Sequence, residues 1–286
     1  MRSLLLVVAA LAVSSLAVAK AGPPVYFTHI LRNVQPATYQ AIVKSPFLSG
    51  PFAHAEAHSV PATKTTPGWS GYYIFGKHTY LEFFSADAKI GQPLNSTAMG
   101  FQIDRRADLA AIGQQIKAAT KATVVTSKQT RPIDGKVMDW FDSVSADYGK
   151  DDNGMTGSWV MAIYPDYVRR MKPSIEPHGD GVTTEENEFH SYGPDGDKKL
   201  FKDVLSVELE IPAAEVDRLS RELSAYGYRA SKSSAAITYS GPDFAVILKA
   251  SATHRSALYR LALHRTQQRE EIMRIGNSEL RIHPNT

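Results

Sequence analysis

The chain has 286 residues, of which 43% are hydrophobic and 21% are charged, with a formal net charge of +3 and no cysteine. This balance is typical of a globular protein and excludes a disordered, collagen-like or many-spanning membrane chain. The absence of cysteine excludes disulfides, zinc fingers, thiolate catalysis and iron–sulfur ligation.

The first 21 residues have the pattern of a secretory signal peptide. Arg2 gives a positive start, Leu4–Val13 is an unbroken apolar run, and small residues at Ala17, Ala19 and Ala21 offer two cleavage sites. A membrane anchor is the alternative, but Lys20 interrupts the apolar run before the roughly 20 residues that a span needs. We therefore expect residues 1–21 to be removed and the product to be periplasmic or secreted.

Removal of this segment also removes Arg2 and Lys20, so the mature chain is close to neutral. A near-neutral chain without a Lys/Arg patch gives no electrostatic signal for nucleic acid or for an anionic membrane. The sequence predicts a small-molecule ligand as the partner and leaves the oligomeric state open.

The first part of the mature chain predicts one strand, one helix and three further strands. Pro36 suits the first turn of the helix, and the later strands are rich in aromatic and β-branched residues or alternate with period two. The predicted elements are Val25–Asn33, Pro36–Val43, Ala53–Val60, Gly71–Gly76 and Thr79–Phe84.

The same order follows a second time. Leu109, Ile112 and Ile116 form one apolar stripe on the helix of this second unit. Its predicted elements are Gly100–Ile103, Asp108–Ile116, Thr123–Ser127, Lys136–Ser143 and Ser158–Tyr164. The two units together predict one paired domain over residues 22–165.

Residues 166–200 are rich in proline and glycine and are predicted as a long loop that begins near Pro165. A third unit with C-terminal strands is predicted over residues 201–286, and Gly227 has the position of a C-terminal helix cap. Its elements are Leu205–Ile211, the helix Pro212–Tyr226, Tyr228–Ala230, Ala236–Tyr239, Phe244–Ala250, Ala257–Leu263 and Ser278–Ile282. The charged stretch Thr266–Arg274 between the last two strands is left open as a helix or a loop.

Paired βαβββ units with a histidine in the opening strand and a glutamate in the closing strand resemble the glyoxalase and extradiol dioxygenase superfamily, also called vicinal oxygen chelate. The resemblance is carried by Tyr26-Phe27-Thr28-His29-Ile30 and Thr79-Tyr80-Leu81-Glu82-Phe83-Phe84. The block that contains both is similar to the N-terminal block of a glyoxalase-like family. The resemblance implies an α+β fold in which repeated βαβββ units form cup-shaped mixed sheets.

By this resemblance His29 and Glu82 occupy the two metal-ligand positions of the first unit, and Glu82 is also the candidate catalytic residue, as ligand or base. The implied cofactor is a divalent metal, namely iron, manganese, nickel or zinc. The second unit departs from the pattern. Gln102 occupies its opening-strand position as a weak ligand, and Val160–Ile163 offers no ligand in its closing strand.

His54-Ala55-Glu56-Ala57-His58 is a further candidate. On a strand, alternate residues share one face, so we expect both imidazoles and the Glu56 carboxylate to point the same way. His54 and His58 are therefore additional candidate metal ligands, and a polar face on an edge strand is the alternative.

These residues favour a metal-dependent lyase, isomerase or dioxygenase that acts on a small oxygenated molecule. A non-catalytic small-molecule-binding protein of the cell envelope and a protein-interaction module remain the alternatives. The sequence does not decide whether the protein is an enzyme.

Overall fold

The computed structural model describes residues 22–60, 69–87, 92–177, 179–183, 195–254, 257–263, 271–275 and 278–282. The predicted signal peptide lies outside these residues and stays a prediction. Two mixed sheets contain the described strands. In the described part of the chain, no helix has the length and apolar character needed to cross a membrane.

The first sheet has eight strands and curls into a half-barrel. Its strands lie in the order β2-β3-β4-β1-β5-β8-β7-β6. They are β1 Tyr26–Val34, β2 His54–Val60, β3 Trp69–Phe75, β4 Tyr80–Ser85, β5 Thr97–Gln102, β6 Thr123–Ile133, β7 Lys136–Asp147 and β8 Thr156–Ile163.

The strand order shows the repeat directly. In the first unit β1 pairs in parallel with β4, and in the second unit β5 pairs in parallel with β8. The two opening strands, β1 and β5, pair antiparallel at the centre of the sheet. The predicted α+β fold of repeated βαβββ units is confirmed. Because β1 and β5 are neighbours, the parallel pair β1 and β4 lies beside the parallel pair β5 and β8.

The second sheet has seven strands in the order β10-β11-β12-β9-β13-β15-β14. Its parallel pair β9 and β12 repeats the pattern of the first two units. The strands are β9 Phe201–Ile211, β10 Arg229–Lys232, β11 Ile237–Ser240, β12 Ala245–Ala250, β13 Ala257–Leu263, β14 Glu271–Ile275 and β15 Ser278–Ile282.

Among the described helices, the first, second and fourth join the two sheets into a common core, and the third packs on the opposite face of the first sheet. The helices are α1 Pro36–Val43, α2 Leu109–Thr120, α3 Pro165–Met171 and α4 Ala213–Ala225. The predicted stripe of Leu109, Ile112 and Ile116 is buried in this core, and α2 packs against α4. Gly227 has φ +84°, as its predicted capping position requires.

One prediction of local structure is wrong, and one stretch that the sequence left open contains part of a strand. The predicted loop after residue 164 begins with α3, because Pro165 fits a first helical turn and Tyr167 and Val168 pack on the first sheet. The charged stretch Thr266–Arg274 contains the start of strand β14, where Glu271–Ile275 pairs antiparallel with β15. The rest of the charged stretch lies outside the described residues.

Candidate functional site

The site lies on the face of the first sheet opposite α1 and α2, which we call the inner face. On β1, Ile30 packs into the main core under the helices, so its neighbours His29 and Leu31 point to the inner face. On β4, Leu81 faces the helices and Glu82 faces the other way. Alternation along two adjacent strands therefore brings His29 and Glu82 to one face.

Hydrogen bonds fix the tautomer of His29. The Thr28 hydroxyl donates its only proton to the carbonyl oxygen of Gly100, at 3.0 Å. Thr28 Oγ1 also lies 2.8 Å from His29 Nδ1, so it accepts a proton there. His29 Nδ1 is therefore the protonated nitrogen, and Nε2 carries the lone pair that a metal ion or an acid would use.

Gly100 lets the imidazole lie flat across strand β5. A Cβ atom at this position would fall well inside contact distance of three ring atoms of His29. Any other residue at position 100 would displace the ring. The site thus depends on a glycine of the second unit as well as on the two side chains of the first.

His29 Nε2 lies 3.6 Å from Glu82 Oε2, and the two residues are only 4% and 7% exposed. Burial lowers the pKa of His29 to about 3 and raises that of Glu82 to about 7. A hydrogen bond from Tyr73 and the positive charge of Arg131 limit the rise of the Glu82 pKa. At neutral pH the imidazole is neutral, and the pH is close to the pKa of the Glu82 carboxyl group.

Aromatic rings enclose this pair. Tyr80 stacks on the His29 ring with centroids 4.4 Å apart and planes 7° from parallel. Trp159 of strand β8 meets the same ring edge-on at 5.2 Å. These contacts hold the imidazole in one orientation and exclude water from its faces.

The two donor atoms fit two positions of a divalent metal centre. Metal bonds of about 2.1 Å to a nitrogen and an oxygen place the two atoms about 3.4 Å apart at a tetrahedral angle. The separation of 3.6 Å is close to this value. Among the described residues no group of three or more His, Cys, Asp or Glu side chains converges in a way that could hold a metal ion.

The second unit gives its corresponding positions a structural use. Gln102 is buried, and its Nε2 donates to the carbonyl oxygen of Val182 at 2.8 Å. Ile163 packs with Tyr167 and Val168 of α3. The amide of Gln102 therefore fastens a covering segment to the sheet, and its role as a metal ligand stays a prediction.

His54, Glu56 and His58 lie on one face of β2, as expected from their spacing. Glu56 accepts from both imidazoles, with His54 Nε2 at 2.5 Å and His58 Nε2 at 2.9 Å. Burial alone would raise the pKa of Glu56, but the two histidines hold it below its usual value. This triad lies two strands from Glu82, and Tyr73 stands between them.

Arg131 is a feature that the sequence reasoning missed. Its guanidinium lies 4.2 Å from the ring centroid of Trp140 and donates to the Tyr167 hydroxyl at 3.0 Å. It acts electrostatically on Glu82 of the far unit. The curl of the sheet creates this approach, so no local sequence pattern indicates it.

A family model for a family of unknown function, DUF5829, matches residues 27–286. The chain belongs to this family. The match covers both sheets. No curated protein matches the chain.

A hypothetical protein from Staphylococcus aureus has a similar structure. The TM-score is 0.59 with 11% identity, and the alignment covers 91% of this chain and 99% of that chain. At this identity the likeness shows the fold alone.

Two further solved structures are less similar. A xylose isomerase-like TIM barrel/4-hydroxyphenylpyruvate dioxygenase fusion protein has a TM-score of 0.46 and 10% identity over 83% of this chain and 37% of that chain. A mutant 4-hydroxymandelate synthase from Streptomyces coelicolor has a TM-score of 0.45 and 11% identity, and the alignment covers 83% of this chain and 71% of that chain.

Proposed function

We propose that the DUF5829 protein binds a divalent metal ion through His29 and Glu82 and that this centre acts on a small oxygenated molecule. The observation that carries the proposal is the separation of 3.6 Å between the unprotonated His29 Nε2 and Glu82 Oε2 in a buried site walled by aromatic rings. A neutral imidazole and a carboxylate together suit iron, manganese, nickel or zinc.

The bound metal would polarise neighbouring oxygen atoms of the ligand. The chain's own residues have defined parts. Thr28 holds the His29 tautomer, and Tyr73 orients the Glu82 carboxylate by a hydrogen bond. In the metal-free protein the pKa of Glu82 is about 7, so this carboxyl group can take up or release a proton near neutral pH. This set is compatible with isomerase, lyase or dioxygenase chemistry.

A non-catalytic binding protein is the second candidate. The observation in its favour is the use of Gln102 and Ile163 for packing and structural hydrogen bonding in the second unit. A site with two ligands from protein leaves more positions to water or ligand than a typical catalytic zinc site with three.

The experiment is metal analysis of the mature protein, purified without chelator, beside His29→Ala and Glu82→Ala. His78→Ala is the matched control, because His78 also pairs with a carboxylate, Asp203, at 3.2 Å but lies outside the site. We expect one metal ion per chain in the parent and in the control, and none in the two site variants. No metal in the parent after incubation with iron, manganese, nickel and zinc would reject the proposal in favour of the binding protein.

We also propose that the protein is exported and that residues 1–21 are removed. Support comes from the apolar run Leu4–Val13 and the small residues that follow it. N-terminal sequencing of the protein from its native host tests this. A start at Gly22 is expected, and an intact Met1 in the extracytoplasmic fraction would contradict cleavage.

A further inference from the structure

A second candidate site lies beyond Trp159 and extends from the inner face of the second unit to helix α4. Here a cavity of about 380 Å³ opens where the ends of strands β7 and β8 separate. This volume falls within the range of about 300–1,000 Å³ that small-molecule sites occupy. Trp159 lines the cavity and also contacts His29, so one indole separates the two sites.

The cavity wall has an ordered pattern of side chains across three strands. Ser127 of β6 pairs with Ser143 of β7, and Gln129 pairs with Phe141. Ser145 pairs with Trp159 of β8. The hydroxyl groups of Ser127, Ser143 and Ser145 therefore form a row between the rings of Phe141 and Trp159.

The hydroxyl row has hydrogen-bonding capacity to spare. Ser127 Oγ and Ser143 Oγ lie 2.8 Å apart and share one hydrogen bond. Two hydroxyls offer two donors and four acceptor sites in total, so this pair retains one donor and three acceptor sites. Gln129 adds an amide, which offers both donors and an acceptor.

The charged groups of the cavity are already paired within the protein. Arg218 Nη1 lies 3.4 Å from Asp152 Oδ1. Glu222 accepts hydrogen bonds from Ser158 and Tyr148. The wall therefore favours a neutral ligand. The groups that remain for binding are hydroxyl and amide groups, which suit ligand hydroxyls, and aromatic rings, which suit apolar C–H faces.

We propose that this cavity binds a neutral polyhydroxylated molecule of sugar size. Its hydroxyl groups would exchange hydrogen bonds with Ser127, Ser143 and Gln129, and its C–H faces would pack on Phe141 and Trp159. The proposal does not depend on the metal site, because no atom of His29 or Glu82 lines the cavity.

The test is calorimetric titration of the metal-free protein with glucose, galactose, xylose, maltose and glucuronate. We expect saturable binding of at least one neutral sugar with a dissociation constant below about 1 mM. The double variant Ser127→Ala/Ser143→Ala should bind it about tenfold more weakly, since it loses two neutral hydrogen bonds.

Ser59→Ala/Ser70→Ala is the matched control. These residues also form a cross-strand serine pair, with oxygens 2.7 Å apart, but lie on β2 and β3 outside the cavity. The control and Glu82→Ala should bind the sugar as the parent does, and thermal unfolding checks that every variant is folded. Binding by none of the neutral sugars, binding of glucuronate alone, or equal affinity in both double variants would overturn the proposal.

Discussion

The two units of the first sheet have the same order of elements, but the side chains on their equivalent strands have different roles. In the first unit, the opening and closing strands present His29 and Glu82 as a close polar pair. In the second unit, the corresponding strands present Gln102, bonded to Val182, and Ile163, packed under α3. The repeat places side chains on the inner face, and what covers that face decides which chemistry the side chains can have.

Helix α3 is the physical cause of the difference. Tyr167 and Val168 pack against Met161 and Ile163 on the inner face of the second unit. A carboxylate at position 163 would be buried against these groups without a partner, at a cost of several kcal/mol. The second unit therefore supports the site through Gly100 and Trp159.

The largest expected effect concerns the charge of Glu82. Its raised pKa means that the folded state binds a proton more tightly than the unfolded state, so stability falls as pH rises from about 4.5 through about 7. At about 1.4 kcal/mol per pH unit, the loss approaches about 3 kcal/mol. Glu82→Gln should lose this dependence.

Chemical denaturation of metal-free parent and Glu82→Gln across this pH range measures the effect. His29 acts in the opposite direction, because its lowered pKa adds stability as pH rises from about 3 through about 6.5. That contribution is common to both proteins and cancels in the difference. Parallel curves for the two proteins would contradict the burial of an ionisable Glu82.

Gly100→Ala, a substitution on strand β5 of the second unit, should displace His29 and so disrupt the site of the first unit. The added Cβ collides with the His29 ring, so we expect loss of metal binding and a decrease of about 2 kcal/mol in the free energy of unfolding. Gly157→Ala is the control, because its Cβ would meet only Ala98 Cβ, at 3.8 Å. Equal metal content in both variants would show that the ring position is unimportant.

Glu215→Ala should weaken the attachment of the second unit to α4. Glu215 is 3% exposed and accepts hydrogen bonds from Asn153, Thr156 and His254. Their loss should lower the free energy of unfolding by about 2 kcal/mol and leave metal content unchanged. Glu210 is a half-buried strand residue, and Glu210→Ala should change the free energy of unfolding much less. A loss of metal in Glu215→Ala would mean that the metal site of the first unit depends on the contact between the second unit and α4.

The smallest effect is expected at the triad on β2. Glu56→Gln removes the charge that pairs with His54 and His58, which are more than a third exposed. Solvent screening limits the change in unfolding free energy to less than about 1 kcal/mol. Metal content should equal that of the parent, and metal analysis with thermal unfolding checks both points. Loss of metal would place the triad in the site.

Much of this fold follows from local pattern. Period-two alternation placed His54, Glu56 and His58 on one face, and the apolar stripe from Leu109 to Ile116 defined α2. The family resemblance indicated His29 and Glu82, and the structure brings them together.

The rest depends on contacts between distant segments. Helix α3 has only seven residues, and its packing on Met161 and Ile163 gives no local signal. The need for glycine at position 100 arises from a ring on another strand. The bond from Gln102 to Val182 joins residues 80 positions apart.

The most direct test of the central claim is calorimetric titration of the metal-free protein with iron, manganese, nickel and zinc ions at about pH 6 and about pH 8. We expect one ion per chain, bound more tightly at the higher pH because Glu82 must lose its proton, and no binding by Glu82→Gln. Absence of binding by every ion, or equal binding by parent and variant, would contradict a metal centre at His29 and Glu82.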